Sequence, residues 1–332
     1  GHMNKLKHWF ASDSNLFVLV VIFLIIFIAL GVIVGENMYT PQRLMLMGFQ
    51  IPEFGLIALG MTFSFLLGGI DLSLVANANL SGILGAYILS ELSARGYASG
   101  LAILLAVLAA LFSAILLGIL NGVLVAKFSV PPMIATLSTM TFYTGIAMAL
   151  TGGSSITGFP AAFTMFSTST FLGIPSIFLL FLLVTVILGC FLSRTGLGRR
   201  IYLYGENPMA ARFSAINNER LILSVFGLNG LLAGLSGLII ISRVTTAKVG
   251  YGDAYLVQAM LVAIIGGISP SGGKGEISGV IIAIAMIQLL SSAFTIWQLS
   301  PYNRKLIWGA VLILVILMNR LIGKGAQRKN LS

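Results

Sequence analysis

A short run of polar side chains starting at Asp71 interrupts an apolar stretch and offers the chain's most concentrated hydrogen-bonding chemistry. Asp71 and Ser73 lie in GGIDLS at 68–73, and Asn77 and Asn79 follow in the next apolar run. An ionisable group at such depth is costly unless it is satisfied. Asp71 is therefore interpreted as an N-terminal helix cap or as a substrate contact. Neutral amides and hydroxyls suit an uncharged polyol in a transient path, and helix-to-helix hydrogen bonding explains them equally well.

A second polar segment, GRRIYLYGENPMAARFSAI at 198–216, is basic and contains glycine. Its flanks at 178–192 and 221–241 are long and apolar enough to cross a bilayer, so the segment must lie in water. Glu206-Asn207-Pro208 predicts the start of a short helix, because proline is favoured at the first helical position and acidic groups near the positive helix end. That helix either rests on lipid headgroups or docks a cytosolic partner.

Glycine pairs mark two further segments, GGI before Asp71 and GGISPSGGKG at 266–275. The second departs from the phosphate-loop pattern G-x-x-x-x-G-K-[ST], because Gly275 stands where Ser or Thr is required. We interpret the pairs as hinges or turns between helices. A similarity between residues 67–73 and 265–271 is a weak sign of an internal repeat. The predicted hinge residues are Gly68, Gly69, Gly266, Gly267, Gly272 and Gly273.

The composition places these motifs in a membrane protein. Of 332 residues, 58% are hydrophobic and 8% are charged, whereas soluble domains carry about 25% charged residues. The net charge of +10 does not indicate nucleic-acid binding, because no basic helix face is interleaved with aromatic side chains. Both histidines lie near the N-terminus and the chain has one cysteine, so we predict no catalytic residue and no metal site.

Apolar runs separated by turn or charge signals predict an all-α polytopic membrane bundle of about ten transmembrane helices. The eighth run is short and is followed by glycines, which favours a helix broken inside the protein. We expect one transmembrane domain at 4–322, a cloning scar with the initiator methionine at 1–3, and a basic cytoplasmic tail at 323–332. The runs are 16–35, 44–67, 74–92, 100–126, 131–150, 171–192, 221–241, 255–268, 277–296 and 303–322.

The basic residues predict the orientation. With the N-terminus in the cytoplasm, six of the 19 lysines and arginines fall outside and the other thirteen inside, as the positive-inside rule requires. Both termini and the loop at 193–220 are then cytoplasmic. The six predicted outside are Arg43, Arg95, Arg243, Lys248, Arg304 and Lys305.

Four motifs together carry a resemblance to a known family. They are GGIDLS at 68–73, LNGVLVAKFSVPPMIATLST at 120–139, GRRIYLYGENPMAARFSAIN at 198–217 and GGISPSGGKGEISG at 266–279. Over residues 16–320 the chain resembles the membrane permeases of ABC sugar importers of the ribose and galactose type. The resemblance implies a permease in the bacterial inner membrane, surrounded by lipid and paired with a second copy or a related permease. It also implies a cytosolic ATPase that binds the ATP and a periplasmic or surface-tethered sugar-binding protein, with no cofactor in this chain.

By the same resemblance, the loop matching 198–217 is the element that docks on the ATPase. The implied coupling residues are Gly198, Arg199, Gly205, Glu206, Asn207, Ala210, Ala211 and Arg212. The chain departs from the family's usual pattern at 74–77 and at Pro270, near the expected path, so the sugar is left open. Ribose, another pentose or hexose, a furanose and a sugar-like signal molecule all fit.

Two other transport functions compete with this interpretation. A branched-chain amino-acid permease of the same transporter class would hold a zwitterion at helix ends. An ion-coupled secondary transporter would need titratable groups in mid-membrane, where only Asp71 and Glu53 qualify. Because aromatic residues do not accompany the polar groups around Asn77, we expect the isolated chain to bind sugar no more tightly than about millimolar.

Overall fold

This computed structural model describes residues 2–329, which form thirteen α-helices, one short 3-10 helix at Gly35–Asn37 and one small hairpin. Side-chain surroundings are described for residues 16–318. Gly1 and residues 330–332, which belong to the predicted scar and tail, lie outside the described residues. The helices are α1 (His2–Val34), α2 (Pro41–Leu66), α3 (Leu74–Ala94), α4 (Ser99–Ala126), α5 (Pro132–Thr151), α6 (Ala161–Thr168), α7 (Ser176–Arg194), α8 (Gly196–Glu206), α9 (Pro208–Phe213), α10 (Asn218–Val244), α11 (Asp253–Ile265), α12 (Ile277–Ile296) and α13 (Pro301–Lys329).

The predicted all-α class is confirmed, and each of the ten predicted spans coincides with a helix. Among the described residues, eight helices are long and apolar enough to cross a membrane, and α11 is shorter, with 13 residues. The prediction for 171–192 starts too early. There Thr170–Phe171 (β1) pairs with Ile174–Pro175 (β2) in an antiparallel hairpin, and α7 begins only at Ser176. Apolar residues alone did not reveal this turn, which Gly173 permits with its positive φ of 80°.

Helices α4 and α10 pack with their backbones almost in contact. On α4 every fourth residue is small and buried, in the series Ala102, Ala106, Ala110, Ala114, Gly118 and Gly122. A Cβ added at Gly118 would collide with Phe226 O, and one at Gly230 would collide with Ala114 O. Small residues at this spacing let helices approach closely in lipid, where association depends on packing and hydrogen bonds. The close approach brings polar groups of both helices within reach of α3.

The loops that connect the helices lie at two opposite ends of the bundle, as their contacts show. At one end, Gly273 N donates to Leu66 O (3.0 Å) and Tyr202 Oη donates to Gly275 O (2.8 Å). Helix α10 starts beside α9 at this end and, with 27 residues, extends for about 40 Å. At its other end, Ala247 pairs with Ile156 of the α5–α6 loop. We call the first end the junction end and the second the far end.

Candidate functional site

Asp71 lies at the centre of a buried hydrogen-bond network near the junction end. Its Oδ1 accepts from Ser73 N (3.0 Å) and Ser73 Oγ (2.7 Å), and its Oδ2 accepts from Asn229 Nδ2 (3.2 Å) of α10. The same Asn229 Nδ2 donates to Ser64 Oγ (2.7 Å) of α2. Three hydrogen bonds to one carboxylate offset much of the cost of burying it.

The network continues from Ser73 to α4 and α5. Asn121 Nδ2 of α4 donates to Ser73 Oγ (2.7 Å), and Thr139 Oγ1 of α5 donates to Asn121 Oδ1 (2.6 Å). A neighbouring hydroxyl, Thr136 Oγ1, lies 3.0 Å from both Ile70 O and Leu72 N and so holds the backbone on either side of Asp71. The residues between α2 and α3 are thus tied to α4, α5 and α10.

The structure separates the four predicted path residues. Asp71, Ser73 and Asn77 are buried, whereas Asn79 is partly exposed. Asn77 Nδ2 donates to Ala114 O of α4 (3.0 Å), so this amide binds a neighbouring helix backbone. Asn77 and Asn79 therefore face different surroundings, because residues two apart in a helix point in different directions.

The predicted cap at Asp71 is displaced by two residues. Ser73 is the N-cap residue of α3 and its side chain makes no capping bond. Asp71 instead accepts the backbone N–H of Ser73, two residues on, which is the Asx-turn geometry. The carboxylate therefore shapes the approach to α3 and also bonds α10, a partner that the local sequence pattern did not indicate.

Glycines from two loops and from the end of α8 meet at the junction end, and we call this cluster the glycine junction. Gly205, the penultimate residue of α8, is buried against Leu66 O and Gly273 N, and a Cβ there would overlap both. A Cβ at Gly68 would come within 3.1 Å of Ser271 O, and one at Gly272 within 2.5 Å of Gly205 O. Both predicted hinge motifs and the polar 198–216 segment are therefore in direct contact.

The two hinge motifs share one helix-ending geometry. After α2, Gly68 N donates to Phe65 O and Gly69 N to Ser64 O; after α11, Gly267 N donates to Ile264 O and Ile268 N to Ala263 O. Gly68 and Gly267 have positive φ values of 78° and 85°. This is the Schellman motif, in which glycine takes the left-handed position. The sequence similarity aligns Gly68 with Gly266. In the structure, the residue equivalent to Gly68 is Gly267, one position later.

The predicted coupling segment forms two helices, α8 and α9, whose residues divide into buried and exposed sets. Gly198, Gly205 and Ala211 are buried against this chain. Asn207 caps α9, its Oδ1 accepting from Met209 N and Ala210 N at 3.0 Å each. The exposed set comprises Arg199, Glu206, Asn207, Met209, Ala210, Arg212 and Phe213. Phe213 is 86% exposed and Met209 63%, and neither is among the predicted coupling residues.

A second buried cluster lies farther along α2, toward the far end. The Glu53 carboxylate forms an ion pair with Arg243 in the last turn of α10 and accepts from Tyr255 Oη of α11 (2.6 Å). Ser236 Oγ donates to the Glu53 carbonyl (2.6 Å). From the sequence, Glu53 is a candidate titratable group in mid-membrane, and Arg243 is predicted to lie outside. A lone acid in an apolar helix signals a counter-ion, but the two residues are 190 positions apart.

A comparison with protein families identifies the class. The family described as "Branched-chain amino acid transport system / permease component" matches residues 44–316. The match covers well over half of the chain and includes the Asp71 network, the glycine junction, α8 and α9. The chain belongs to this family of membrane permeases.

Individual relatives match along most of the chain. The ribose import permease protein RbsC of Bacillus subtilis (strain 168) is 36% identical over 299 residues, 90% of this chain and 90% of its own length. RbsC of Escherichia coli (strain K12) is 32% identical over 319 residues, 94% of this chain and 95% of its own length. The D-allose transport system permease protein AlsC of the same strain is 32% identical over 269 residues, 81% and 80% of the two chains. No solved structure matches.

Proposed function

We propose that this chain is the membrane-spanning permease subunit of an ATP-driven sugar importer. The observation that carries the proposal is the exposed surface of α9 on a membrane permease, with Met209 and Phe213 in solvent and Ala211 buried behind them. A short helix that is anchored on one side and apolar on the other is suited to dock a second protein. Relatives named as ribose and allose permeases favour a sugar over an amino acid as the cargo.

The proposed arrangement has ten membrane crossings with both termini in the cytoplasm of a bacterial inner membrane. Helices α1–α5, α7 and α10–α13 cross, α6 lies in the outer loop, and α8 and α9 lie in the cytoplasm. The alternation of loops between the junction end and the far end supports this count, and the distribution of lysines and arginines supports the orientation. The junction end is then cytoplasmic.

The proposed partners follow from this orientation. A cytosolic ATPase binds the ATP and docks on α9, and a second permease copy or a related permease completes the path through the membrane. A sugar-binding protein delivers the cargo at the far end. The exposed Arg199 and Arg212 add positive charge around α9, which suits an acidic rim on the ATPase.

Within the path, we propose different roles for the four predicted residues. Asp71, Ser73 and Asn77 hold α2, α3, α4 and α10 together through the bonds described above. Asn79 is the one among them whose side chain is partly exposed, so it is the residue available to face a passing hydroxyl group. The glycine junction then transmits the position of α8 to this network.

The docking proposal is tested by co-purification of the ATPase with permease variants in detergent. Met209→Ala and Phe213→Ala should each lower capture by about tenfold or more, as expected for central interface residues. Phe171→Ala is the matched control, because Phe171 is 63% exposed on the hairpin at the far end. Thermal stability should be unchanged in all three variants, since each side chain is exposed. Unchanged capture and sugar uptake in both α9 variants would remove α9 from the mechanism.

The choice of cargo is tested by uptake into proteoliposomes that contain the permease, its ATPase and its binding protein. Radiolabelled ribose and allose represent the sugars, and leucine represents the amino-acid alternative. ATP-dependent accumulation of a sugar without leucine is the expected result. Accumulation of leucine alone would assign the chain to the amino-acid branch of the family.

A further inference from the structure

A cavity of about 260 Å³ lies between α2 and α10–α13, separate from the Asp71 network. Its volume is slightly below the range of about 300–1,000 Å³ that is usual for drug-sized ligands. Its lining includes residues at the start of α11 and of α13, which places the cavity toward the far end. Four aromatic residues and three glutamines contribute to its wall: Phe54, Tyr255, Phe294, Trp308, Gln50, Gln258 and Gln288.

We propose that this cavity binds one neutral monosaccharide as the sugar enters the permease. This inference rests on the proposed function, because the cavity would be the first place where the transported sugar binds this subunit. Sugar-binding pockets need apolar faces against the C–H groups of the ring and a few polar groups for its hydroxyls, and this cavity provides both. The sequence alone does not predict this aromatic-lined polar pocket, because its residues are distributed over five helices.

The polar groups of the cavity have bonding capacity to spare. Gln258 is only 6% exposed, yet its amide has no hydrogen-bond partner among the described residues. Gln288 Nε2 donates to Gln50 Oε1 (2.8 Å) and to Ser292 Oγ (3.2 Å), which leaves the Gln50 amide nitrogen and the Gln288 carbonyl oxygen without partners in the described structure. These glutamines line the cavity, so a bound polyol would supply hydrogen bonds that their amides do not make within the chain.

The four aromatic side chains form two ring pairs in the wall of the cavity. The rings of Phe294 and Trp308 lie 5.3 Å apart between centroids, and those of Phe54 and Tyr255 lie 6.1 Å apart. Trp308 is buried, and its indole N–H makes no hydrogen bond to the described residues. An indole offers an apolar face beside one hydrogen-bond donor. This combination suits a sugar ring, which has both C–H groups and hydroxyls.

The charged groups of the cavity favour a neutral ligand over an anion. Arg243 is paired with Glu53, and Arg304 donates to the carbonyls of Leu299 (2.9 Å) and Phe294 (3.4 Å) at the end of α12. The guanidinium groups are therefore already engaged. Lys305 is exposed at the rim, so it contributes little to a ligand held inside.

The experiment measures sugar binding to the purified, full-length permease by saturation-transfer NMR, with ribose, allose, leucine and inorganic phosphate as probes. A sugar should bind at about millimolar affinity, since a conduit must release what it admits. Gln258→Leu keeps the side-chain volume and removes the amide, and it should weaken binding about tenfold. Gln42→Leu is the control, because Gln42 is exposed at the start of α2 and lies outside the cavity.

Sugar uptake by the assembled importer separates failure of the site from failure of the proposed function. Normal uptake with equal sugar binding by Gln258→Leu and the unaltered chain would overturn the cavity proposal alone. Binding of phosphate in place of sugar, lost in Gln258→Leu, would also overturn it and make the cavity an anion site. Absence of uptake for every sugar, with leucine transported, would refute the proposed function and the cavity proposal with it.

Discussion

Exchanging the chemical groups of Asp71 and Asn229 tests whether their hydrogen bond holds the network together. Asn229→Asp alone would set two carboxylates against each other across the present distance of 3.2 Å. At an effective dielectric constant of about 20, the repulsion of two unit charges at that distance is about 5 kcal/mol. The substitution also removes the amide donor from Ser64 Oγ. We therefore expect this variant to be strongly destabilised.

Substitutions of Asp71 should destabilise the chain less than Asn229→Asp, and Asp71→Asn should destabilise it less than Asp71→Ala. Asp71→Asn keeps an oxygen for Ser73 N and Ser73 Oγ, and rotation of the Asn229 amide can present its unpartnered Oδ1 to the new amide nitrogen. Asp71→Ala leaves buried donors unsatisfied, at about 1–3 kcal/mol each. Asp71→Asn combined with Asn229→Asp restores one donor and one acceptor, so it should recover most of the stability that Asn229→Asp loses.

Thermal unfolding in detergent and sugar uptake are measured on all four variants, with Asn303→Asp as a control for adding a carboxylate at an exposed site. The expected interaction energy between positions 71 and 229 is at least about 2 kcal/mol, within the range for residues in direct contact. Equal stability of Asn229→Asp and the exchanged pair would refute the direct bond. Complete loss of uptake in Asp71→Asn with unchanged stability would instead assign the Asp71 charge to the path.

Two further predictions concern the glycine junction. Gly205→Ala should cost about 1–3 kcal/mol, because the added Cβ overlaps Leu66 O, whereas Gly196→Ala meets open space and should cost nothing; thermal unfolding compares them. Tyr202→Phe removes the bond to Gly275 O. Burial raises the pKa of the Tyr202 phenol above its usual 10.0, so its stabilisation is complete below about pH 10 and is lost as pH rises through the folded-state pKa. Melts at about pH 8 and 11 should differ less for Tyr202→Phe than for the unaltered chain.

Local sequence signals predicted the helices well because each depends on neighbours in the chain. Apolar runs of sufficient length located the helices, and Asn207-Pro208 correctly predicted the start of α9. The glycine pairs were correctly interpreted as turns, since the left-handed position that ends α2 and α11 favours glycine. These features require no knowledge of which helices are neighbours in space.

Contacts between residues far apart in the chain could not be predicted from the sequence. Asp71 and Asn229 are 158 positions apart, and nothing in either local pattern identifies the other. The cavity is a clearer case, because its glutamines and aromatic rings come from five helices and each appears isolated in the sequence. Hydrophobic periodicity identifies a face of a helix, whereas a pocket depends on how several faces meet.

The burial of Gly205 and Ala211 changes the meaning of the predicted coupling motif. Both were predicted as coupling residues, and both are buried against this chain. A bulky residue at Gly205 would therefore disrupt the packing of this chain before it affected a partner. The exposed Met209 and Phe213 are therefore the better probes of docking. Substitution of Gly205 tests the internal packing of the chain instead.

The segment 64–73 connects α8, in the predicted coupling segment, to the buried polar network. Ser64 bonds Asn229, the Leu66 carbonyl accepts from Gly273, and Asp71 bonds both Ser73 and Asn229. Because Gly205 leaves no free space against Leu66 and Gly273, a displacement of α8 must either move this segment or break the junction. Close-packed contacts transmit such displacements more readily than they absorb them. An ATPase that moves α9 would therefore act on the packing of α3 and α10 through residues that never touch it.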